Sequence, residues 1–191
     1  MGSLAVRLTG TVISHSNAWL DYIESNIDTT SNTSTVTFKM YLKSDGGGST
    51  WRGQPRTLYF SVAGGQYAYP VTFDTRKDHT ELLFTHTQTF THAPDGTFAT
   101  PISISFDTGL NGVSGMYLSE TWIELTQIPR KSTATLNKTS LNILDELVVN
   151  IQRASSAFTH KVYIKCGSKT YDVQAYNSSN VTVKYTIPDG M

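Results

Sequence analysis

The chain has 191 residues and a formal net charge of zero, and only 16% of its residues are charged, against a usual share of about 25%. The length suits one mid-sized domain, or one domain followed by a smaller one. A neutral chain without a basic block argues against duplex nucleic acid as a partner. The apolar runs are too short to span a membrane, and the N-terminus lacks the pattern of a signal peptide.

Period-two alternation of apolar and polar residues predicts a series of β-strands in the first part of the chain. The predicted strands cover residues 4–8, 18–27, 35–42, 58–62, 66–73 and 117–127. The clearest is 35–42, in which Val36, Phe38, Met40 and Leu42 point to one face. Pro70 marks residues 66–73 as an edge strand or an irregular one, because proline cannot donate a ladder hydrogen bond.

A β-hairpin is predicted over residues 86–107. Before the turn, one strand face is expected to carry Leu82, Phe84, His86, Gln88 and Phe90. After the turn, Ile102, Ile104 and Phe106 alternate with Ser103 and Ser105. Between the two strands lies His92-Ala-Pro-Asp-Gly-Thr97. Proline presets φ, and Asp-Gly tolerates a left-handed bend, so this segment is expected to be the hairpin turn.

The proline and adjacent charges in Ile128-Pro-Arg-Lys-Ser132 predict a domain boundary. Further strands are predicted at residues 141–151, 158–166, 169–175 and 181–187. The expected fold is therefore all-β. Residues 1–128 are expected to form a jelly-roll β-sandwich that is similar to carbohydrate-binding modules, and residues 129–191 a small immunoglobulin-like β-sandwich.

Cys166 is the one cysteine of the chain, so no disulfide within the chain is possible. It alternates with Val162 and Ile164 in residues 158–166, which predicts that all three share one strand face. We therefore expect Cys166 to be a buried, unreactive thiol.

The residue types that bind metals or catalyse reactions do not occur in a recognisable pattern. His86 and His92 lie about 20 Å apart along an extended strand, which is too far for a shared zinc ion. Glu120 and Glu124 are roughly 13 Å apart along one strand, which is too far for most glycosidase acid pairs. The sequence thus predicts a protein that is not an enzyme and has no metal site and no cofactor.

Five aromatic residues are the candidate binding residues. They are Trp51, Tyr41, Tyr59, Tyr67 and Tyr69. Tyr41 and Tyr59 point away from the predicted core faces of their strands, and Trp51 follows a glycine-rich loop. Such rings can stack on the apolar faces of sugars while neighbouring hydroxyl groups bind the sugar edges. The alternative is that these rings pack against a neighbouring subunit or a second layer.

Several short motifs resemble elements of the tail proteins of long-tailed phages (siphophages) that infect streptococci and lactococci. These motifs are His92-Ala-Pro-Asp-Gly-Thr97 with the Ile-Ser-Ile-Ser strand after it, Ile128-Pro-Arg-Lys-Ser-Thr133, Phe158-Thr-His160 and Val183-Lys-Tyr-Thr-Ile-Pro188. Together they span both predicted domains. Ala93-Pro94 departs from the polar pair that usually precedes Asp-Gly in that family, which affects the expected geometry of the turn.

The resemblance implies a minor structural protein of the phage tail tip, fibre or baseplate. It would be made in the bacterial host cytoplasm without a signal peptide and reside in the virion. Its expected partners are other phage tail proteins, host cell-wall polysaccharide and further copies of itself, with a trimer as one option. The alternative is a carbohydrate-binding module of a phage or bacterial cell-wall hydrolase whose catalytic domain lies outside this chain.

Overall fold

A computed structural model describes residues 1–155, 158–177, 179 and 181–189. The described residues contain thirteen β-strands and one short 3-10 turn, Ile13–His15. The predicted all-β fold is therefore confirmed. The chain divides into two compact units, the first comprising residues 1–91 and 97–126 and the second residues 92–96 and 127–191.

The first unit is built on one eight-stranded antiparallel sheet. Its strands are β1 (Gly2–Thr9), β2 (Ser16–Asp28), β3 (Thr33–Asp45), β4 (Trp51–Val62), β5 (Gly65–Asp74), β6 (Asp78–Thr91), β7 (Ala99–Asp107) and β8 (Gly115–Glu124). Their order across the sheet is β5-β4-β7-β8-β1-β2-β3-β6. The edge position predicted for residues 66–73 is confirmed, because β5 lies at one end of this order.

Alternation along each strand places the core on one face of the sheet. In β3, Val36, Phe38 and Met40 are fully buried, and the residues between them are only partly buried. Phe60 of β4 packs its ring against Phe38, with 5.1 Å between ring centroids, and against Phe84 of β6 at 5.3 Å. These contacts join strands from both ends of the sheet. The sheet therefore curls around its own apolar face and is nearly closed.

The predicted hairpin over residues 86–107 is wrong. β6 pairs with β3 along its length, from Asp78 to Thr91. β7 lies between β4 and β8 and pairs with both. The alternating pattern correctly predicted two strands, but it carries no information about which strands pair. Both strands instead find partners that are distant in the sequence.

The face predicted to be shared along β6 is wrong at Leu82, which is 50% exposed whereas Phe84 is buried. The pairing of β3 with β6 shifts at this point, since Met40 faces Phe84 and Tyr41 faces Leu82. Leu83 is the extra residue of this β-bulge, and both Leu83 and Phe84 are buried. A bulge reverses the alternation locally and so turns Leu82 outward.

Residues 92–96 form a turn that binds the start of the segment after β8. The Gly96 amide donates to the Ala93 carbonyl at 2.8 Å, and the Ile128 amide donates to the Gly96 carbonyl at 2.8 Å. His92 is buried, and its Nδ1 lies 2.9 Å from the same Gly96 oxygen. The Gln127 side chain donates to the Asp95 carbonyl at 3.0 Å. The motif that was expected to turn a hairpin therefore fixes residues 127 and 128 instead.

The second unit contains two small sheets. Its strands are β9 (Thr133–Leu136), β10 (Glu146–Gln152), β11 (His160–Cys166), β12 (Lys169–Asn177) and β13 (Val181–Thr186), in the orders β13-β10-β9 and β11-β12. Its core consists of Leu147, Val149, Ile151, Val162 and Val183. The shared faces predicted for these core residues are confirmed. β9 was not predicted, and β10 begins later than expected.

Cys166 is exposed, so the predicted buried thiol is wrong. It is the last residue of β11 and pairs with Lys169 next to the turn at Gly167. The alternation of apolar and polar residues predicts the strand face on which a residue lies. It does not predict how far along the strand the buried core extends. Val162 lies over the core, and the end of the strand extends beyond it.

The turn at Gly96 gives a test of how residues 127 and 128 are held. Gly96 has φ +83°, and an added Cβ would collide with the Ile128 carbonyl oxygen. Gly167 has φ +58° and open space around its Cβ position. Gly167→Ala should cost about 1–2 kcal/mol from the left-handed backbone alone. Gly96→Ala should cost at least about 1 kcal/mol more, because backbone must also move.

Hydrogen exchange of the β10 and β13 amides in the intact chain measures both losses, since both glycines belong to the second unit. Equal losses in the two variants would show that the turn can move away from Ile128 without cost.

Candidate functional site

The five predicted aromatic residues do not form one patch. The Tyr41 ring on β3 stacks on Trp19 of β2, with ring centroids 5.3 Å apart and planes at 22°. One face of Tyr41 is therefore covered by another ring. Tyr41 and Tyr59 lie on β3 and β4, which are not neighbours in the sheet. The five aromatic residues therefore lie in different surroundings.

Trp51 begins β4 and is 57% exposed. The Arg76 guanidinium lies 4.8 Å from its ring centroid, which is a cation–π contact. Asp74 holds Arg76 in place, because its carboxylate accepts from Arg76 Nε at 2.8 Å and Nη2 at 2.9 Å. These hydrogen bonds from Arg76 lower the pKa of Asp74. Trp51 is thus an exposed ring with a cation on one face.

Tyr67 and Tyr69 lie on β5 and face β6 across the gap in the nearly closed sheet. The Tyr69 hydroxyl lies 2.7 Å from His86 Nδ1. The Tyr67 hydroxyl donates to Gln88 Oε1 at 3.3 Å, and His86 Nε2 lies 3.1 Å from the same oxygen. All three contacts are satisfied if Tyr69 donates to Nδ1 and the Nε2–H of His86 donates to Gln88.

Side chains rather than a backbone ladder therefore join the two end strands. We call Tyr67, Tyr69, His86 and Gln88 the β5–β6 seam. The Tyr69 ring also stacks on Phe84, with centroids 4.6 Å apart and planes at 12°. Burial in the seam, and to a smaller extent the neighbouring Tyr67, raises the pKa of Tyr69. The structure thus assigns a structural role to these two tyrosines.

Tyr59 lies on the outer face of β4, where it is 43% exposed. It sits opposite Ser105 of β7, which in turn sits opposite Tyr117 of β8. Farther along the same outer face, Trp122 of β8 lies opposite Pro101 of β7 and is 63% exposed. Two exposed rings therefore stand at different positions on one sheet face.

A cavity of about 300 Å³ opens on this face. Its polar side chains are Ser61, Gln66, Ser103 and Glu120, and the backbone of Gly64 and Gly65 completes it together with Pro101. Ser61 follows Tyr59 by two residues on β4, and Trp122 follows Glu120 by two residues on β8. We call Tyr59, Ser61, Gln66, Ser103, Glu120 and Trp122 the β4–β7–β8 surface.

The polar groups of this surface are available to a ligand. Within the described part of the chain, the side chains of Ser61, Gln66, Ser103 and Glu120 form no hydrogen bond with another residue. The hydroxyls and the amide can donate and accept, and the carboxylate can accept. A shallow polar cavity between two exposed rings can bind a ligand that has apolar faces and hydroxylated edges.

Two backbone features shape the β4–β7–β8 surface. The β4–β5 turn has positive φ at both Ala63 (49°) and Gly64 (77°), as a tight two-residue hairpin requires. The pairing of β7 with β8 shifts between Ile102 and Ile104, which face Thr121 and Leu118. Glu120 lies in this β-bulge, and bulges commonly re-aim side chains next to binding sites.

Sequence reasoning missed Trp122, although a signal for it was present. Trp122 lies on the same strand face as Glu120 and Glu124, because these residues alternate with Thr121 and Ile123. The two acids indicate that this face is the outer one. The cavity itself had no local signal, because its lining comes from β4, β5, β7 and β8. Of the predicted residues, only Tyr59 belongs to the β4–β7–β8 surface.

Among the described residues, no group of three or more His, Cys, Asp and Glu side chains is arranged to hold a metal ion. Both ring nitrogens of His86 are engaged in the β5–β6 seam. No helix in the described part of the chain is long and apolar enough to cross a membrane.

The fold and this surface together define an all-β protein that presents a polar cavity and exposed aromatic rings on one face of its large sheet. Residues 16–191 match the family described as "Siphovirus protein of unknown function (DUF859)", and the chain belongs to this family. The resemblance to siphophage proteins is thereby confirmed. The tail-tip role and the streptococcal or lactococcal host stay predictions. No curated protein and no solved structure matches the chain.

The β5–β6 seam gives a test of how the sheet is closed. Tyr69→Phe removes the hydroxyl that bonds His86 and leaves a ring nitrogen without its partner. The free energy of unfolding of the first unit should fall by about 1 kcal/mol. Tyr59→Phe is the matched control, because the Tyr59 hydroxyl makes no side-chain hydrogen bond with the described residues. Urea unfolding of the intact chain measures both variants. Equal stability of the two would show that the hydrogen bond between Tyr69 and His86 contributes nothing to stability.

Proposed function

We propose that this siphophage protein is a structural component of the virion, located in the tail tip, fibre or baseplate, and that it binds host cell-wall polysaccharide. The observation that carries the proposal is the β4–β7–β8 surface, which combines two exposed rings with a cavity whose polar side chains have no hydrogen-bond partner among the described residues. Membership of a siphovirus family supports a role in the phage particle. The proposed protein is not an enzyme and needs no cofactor.

The chemistry of the β4–β7–β8 surface suits a sugar. The faces of a pyranose ring carry C–H groups that pack on aromatic rings such as Tyr59 and Trp122, and its edges carry hydroxyls that both donate and accept hydrogen bonds. Ser61, Ser103 and Gln66 offer the complementary groups. Since the cavity is open and small, binding at one site should be weak.

Weak single sites become effective when several act together. We propose that the protein forms a closed homo-oligomer, with a trimer as one option, and that it contacts other phage tail proteins. Several copies of the β4–β7–β8 surface would then bind one polymer chain or one cell wall. In the same proposal the protein is made in the host cell and is then assembled into the tail.

We propose a jelly-roll-like first domain over residues 1–128, similar to carbohydrate-binding modules, and an immunoglobulin-like second domain over residues 129–191. The nearly closed sheet of the first unit and the two small sheets of the second support an all-β domain in each part.

A second candidate function uses the same surface. A carbohydrate-binding module of a phage or bacterial cell-wall hydrolase would also present a polar cavity with exposed rings. The full reading frame of the gene separates the two candidates, since a hydrolase domain would favour this second function and further β-domains would favour the tail component.

Binding should depend on the two rings of the β4–β7–β8 surface. We expect Trp122→Ala and Tyr59→Ala each to weaken binding to a host polysaccharide by about 1–3 kcal/mol, on the scale known for stacking on nucleic-acid bases. Tyr163→Ala is the matched control, because Tyr163 is 58% exposed but belongs to the second unit. A glycan array with multivalent protein measures binding, and thermal melting measures folding.

The wider set of predicted residues is tested in the same way, with alanine at Trp51, Tyr41, Tyr67 and Tyr69. We expect Tyr67→Ala and Tyr69→Ala to lower the melting temperature, because these rings belong to the β5–β6 seam. If Trp51→Ala abolishes binding while Trp122→Ala and Tyr59→Ala retain it, the β4–β7–β8 surface is not the binding site. If the wild type binds no host polysaccharide even when multivalent, the proposed recognition function is wrong.

A further inference from the structure

Glu120 is the one ionisable residue among those that the structure places around the cavity of the β4–β7–β8 surface. The other lining residues are serines, glycines, a glutamine, a proline and two aliphatic residues. Glu120 is exposed, and no cation among the described residues lies within salt-bridge distance of it. The cavity therefore carries a negative charge that no cation of the described residues neutralises by a salt bridge.

The neighbouring charges do not compensate this carboxylate. Glu124 on β8 is a second exposed acid on the same outer face. The basic residue that the strand register brings closest on this face is Arg7 of β1, which sits opposite Tyr117. Tyr117 precedes Glu120 by three residues, or about 10 Å along the strand. Arg7 thus lies beyond the Tyr117 end of the face and outside the cavity.

The hydrogen-bonding chemistry of Glu120 adds to the effect of its charge. A carboxylate only accepts hydrogen bonds, and bonds that involve a charged group are stronger than neutral ones. A sugar hydroxyl can donate to it. An ionised phosphate diester has only acceptor oxygens and carries a negative charge, so it can form no bond to Glu120 and is repelled by it. Ser61 and Ser103 alone would not distinguish these two ligands, because hydroxyls both donate and accept.

We infer that Glu120 makes the β4–β7–β8 surface selective for uncharged, hydroxyl-rich polysaccharides and against phosphate-bearing polymers of the cell wall. This inference rests on the proposed function, and it names the class of ligand that the surface binds. Tyr59 and Trp122 supply affinity for the sugar rings of a polysaccharide. Glu120 distinguishes neutral from phosphate-bearing polymers, because its carboxylate accepts a hydrogen bond from a hydroxyl and repels an anion at the same position.

The test compares Glu120→Gln with Glu124→Gln in the intact chain. Both substitutions remove one negative charge from an exposed position on β8 and keep the side-chain shape, but Glu124 does not line the cavity. The probes are a panel of neutral hexose and N-acetylhexosamine polymers and a poly(glycerol phosphate) of similar length. Binding is measured at low and at high ionic strength, with the protein presented multivalently.

We expect the wild type to bind a neutral polymer and not poly(glycerol phosphate). Glu120→Gln should weaken binding of the neutral polymer roughly 10- to 100-fold, as expected for loss of a hydrogen bond to a charged acceptor. It should also strengthen binding of poly(glycerol phosphate). Raising the salt concentration should reduce the discrimination in the wild type, because salt screens exposed charges, and should have little effect in Glu120→Gln. Glu124→Gln should behave like the wild type.

Two results would overturn the inference and leave the proposed function intact. One is binding of poly(glycerol phosphate) to the wild type that is as tight as binding of the neutral polymer. The other is an unchanged ratio of neutral to phosphate polymer binding in Glu120→Gln. If none of the polymers binds, both the inference and the proposed recognition function are wrong.

Discussion

The first unit depends on the burial of one face of a continuous eight-stranded sheet. The inner residues of strands from both ends of the sheet contact each other, as Phe60 does with Phe38 and Phe84. Curling a sheet around a single core brings its end strands together, and unpaired strand edges are sites of aggregation unless they are covered. Here Pro70 interrupts the donor row of β5, and the β5–β6 seam covers the gap with hydrogen-bonded side chains.

The inner face of the sheet was largely predictable, and the strand partners were not. Alternation placed Val36, Phe38 and Met40 of β3 in the core because side-chain direction in a strand is a local property. The pairing of β6 with β3 is not local, since the two strands are separated by β4 and β5 in the sequence. An Asp-Gly turn signals a change of direction, and at Gly96 that turn binds Ile128 instead of joining a hairpin.

The candidate site, like the strand pairing, could be predicted only in part from local sequence patterns. Tyr59 could be recognised as an outward ring from the pattern of β4 alone. The cavity beside it requires Ser61, Ser103 and Glu120, which come from three strands and meet only through the sheet order β4-β7-β8. Tyr67 and Tyr69 have the same alternating pattern as Tyr59, yet they face β6 because β5 is an end strand of a curled sheet. Sequence alone cannot separate a ring that faces solvent from one that faces a distant edge strand.

The position of the β4–β7–β8 surface separates recognition from folding. Its groups stand on paired strands, so a ligand would meet side chains whose backbone is already fixed, and little conformational entropy would be lost on binding. Gln66, Glu120 and Trp122 are all exposed, whereas the core residues of the same strands point to the opposite face. Substitutions at these three positions would therefore change the proposed binding surface without forming a cavity in the core. If this surface binds a polymer as proposed, the ligand can change while the sheet that carries the surface stays the same.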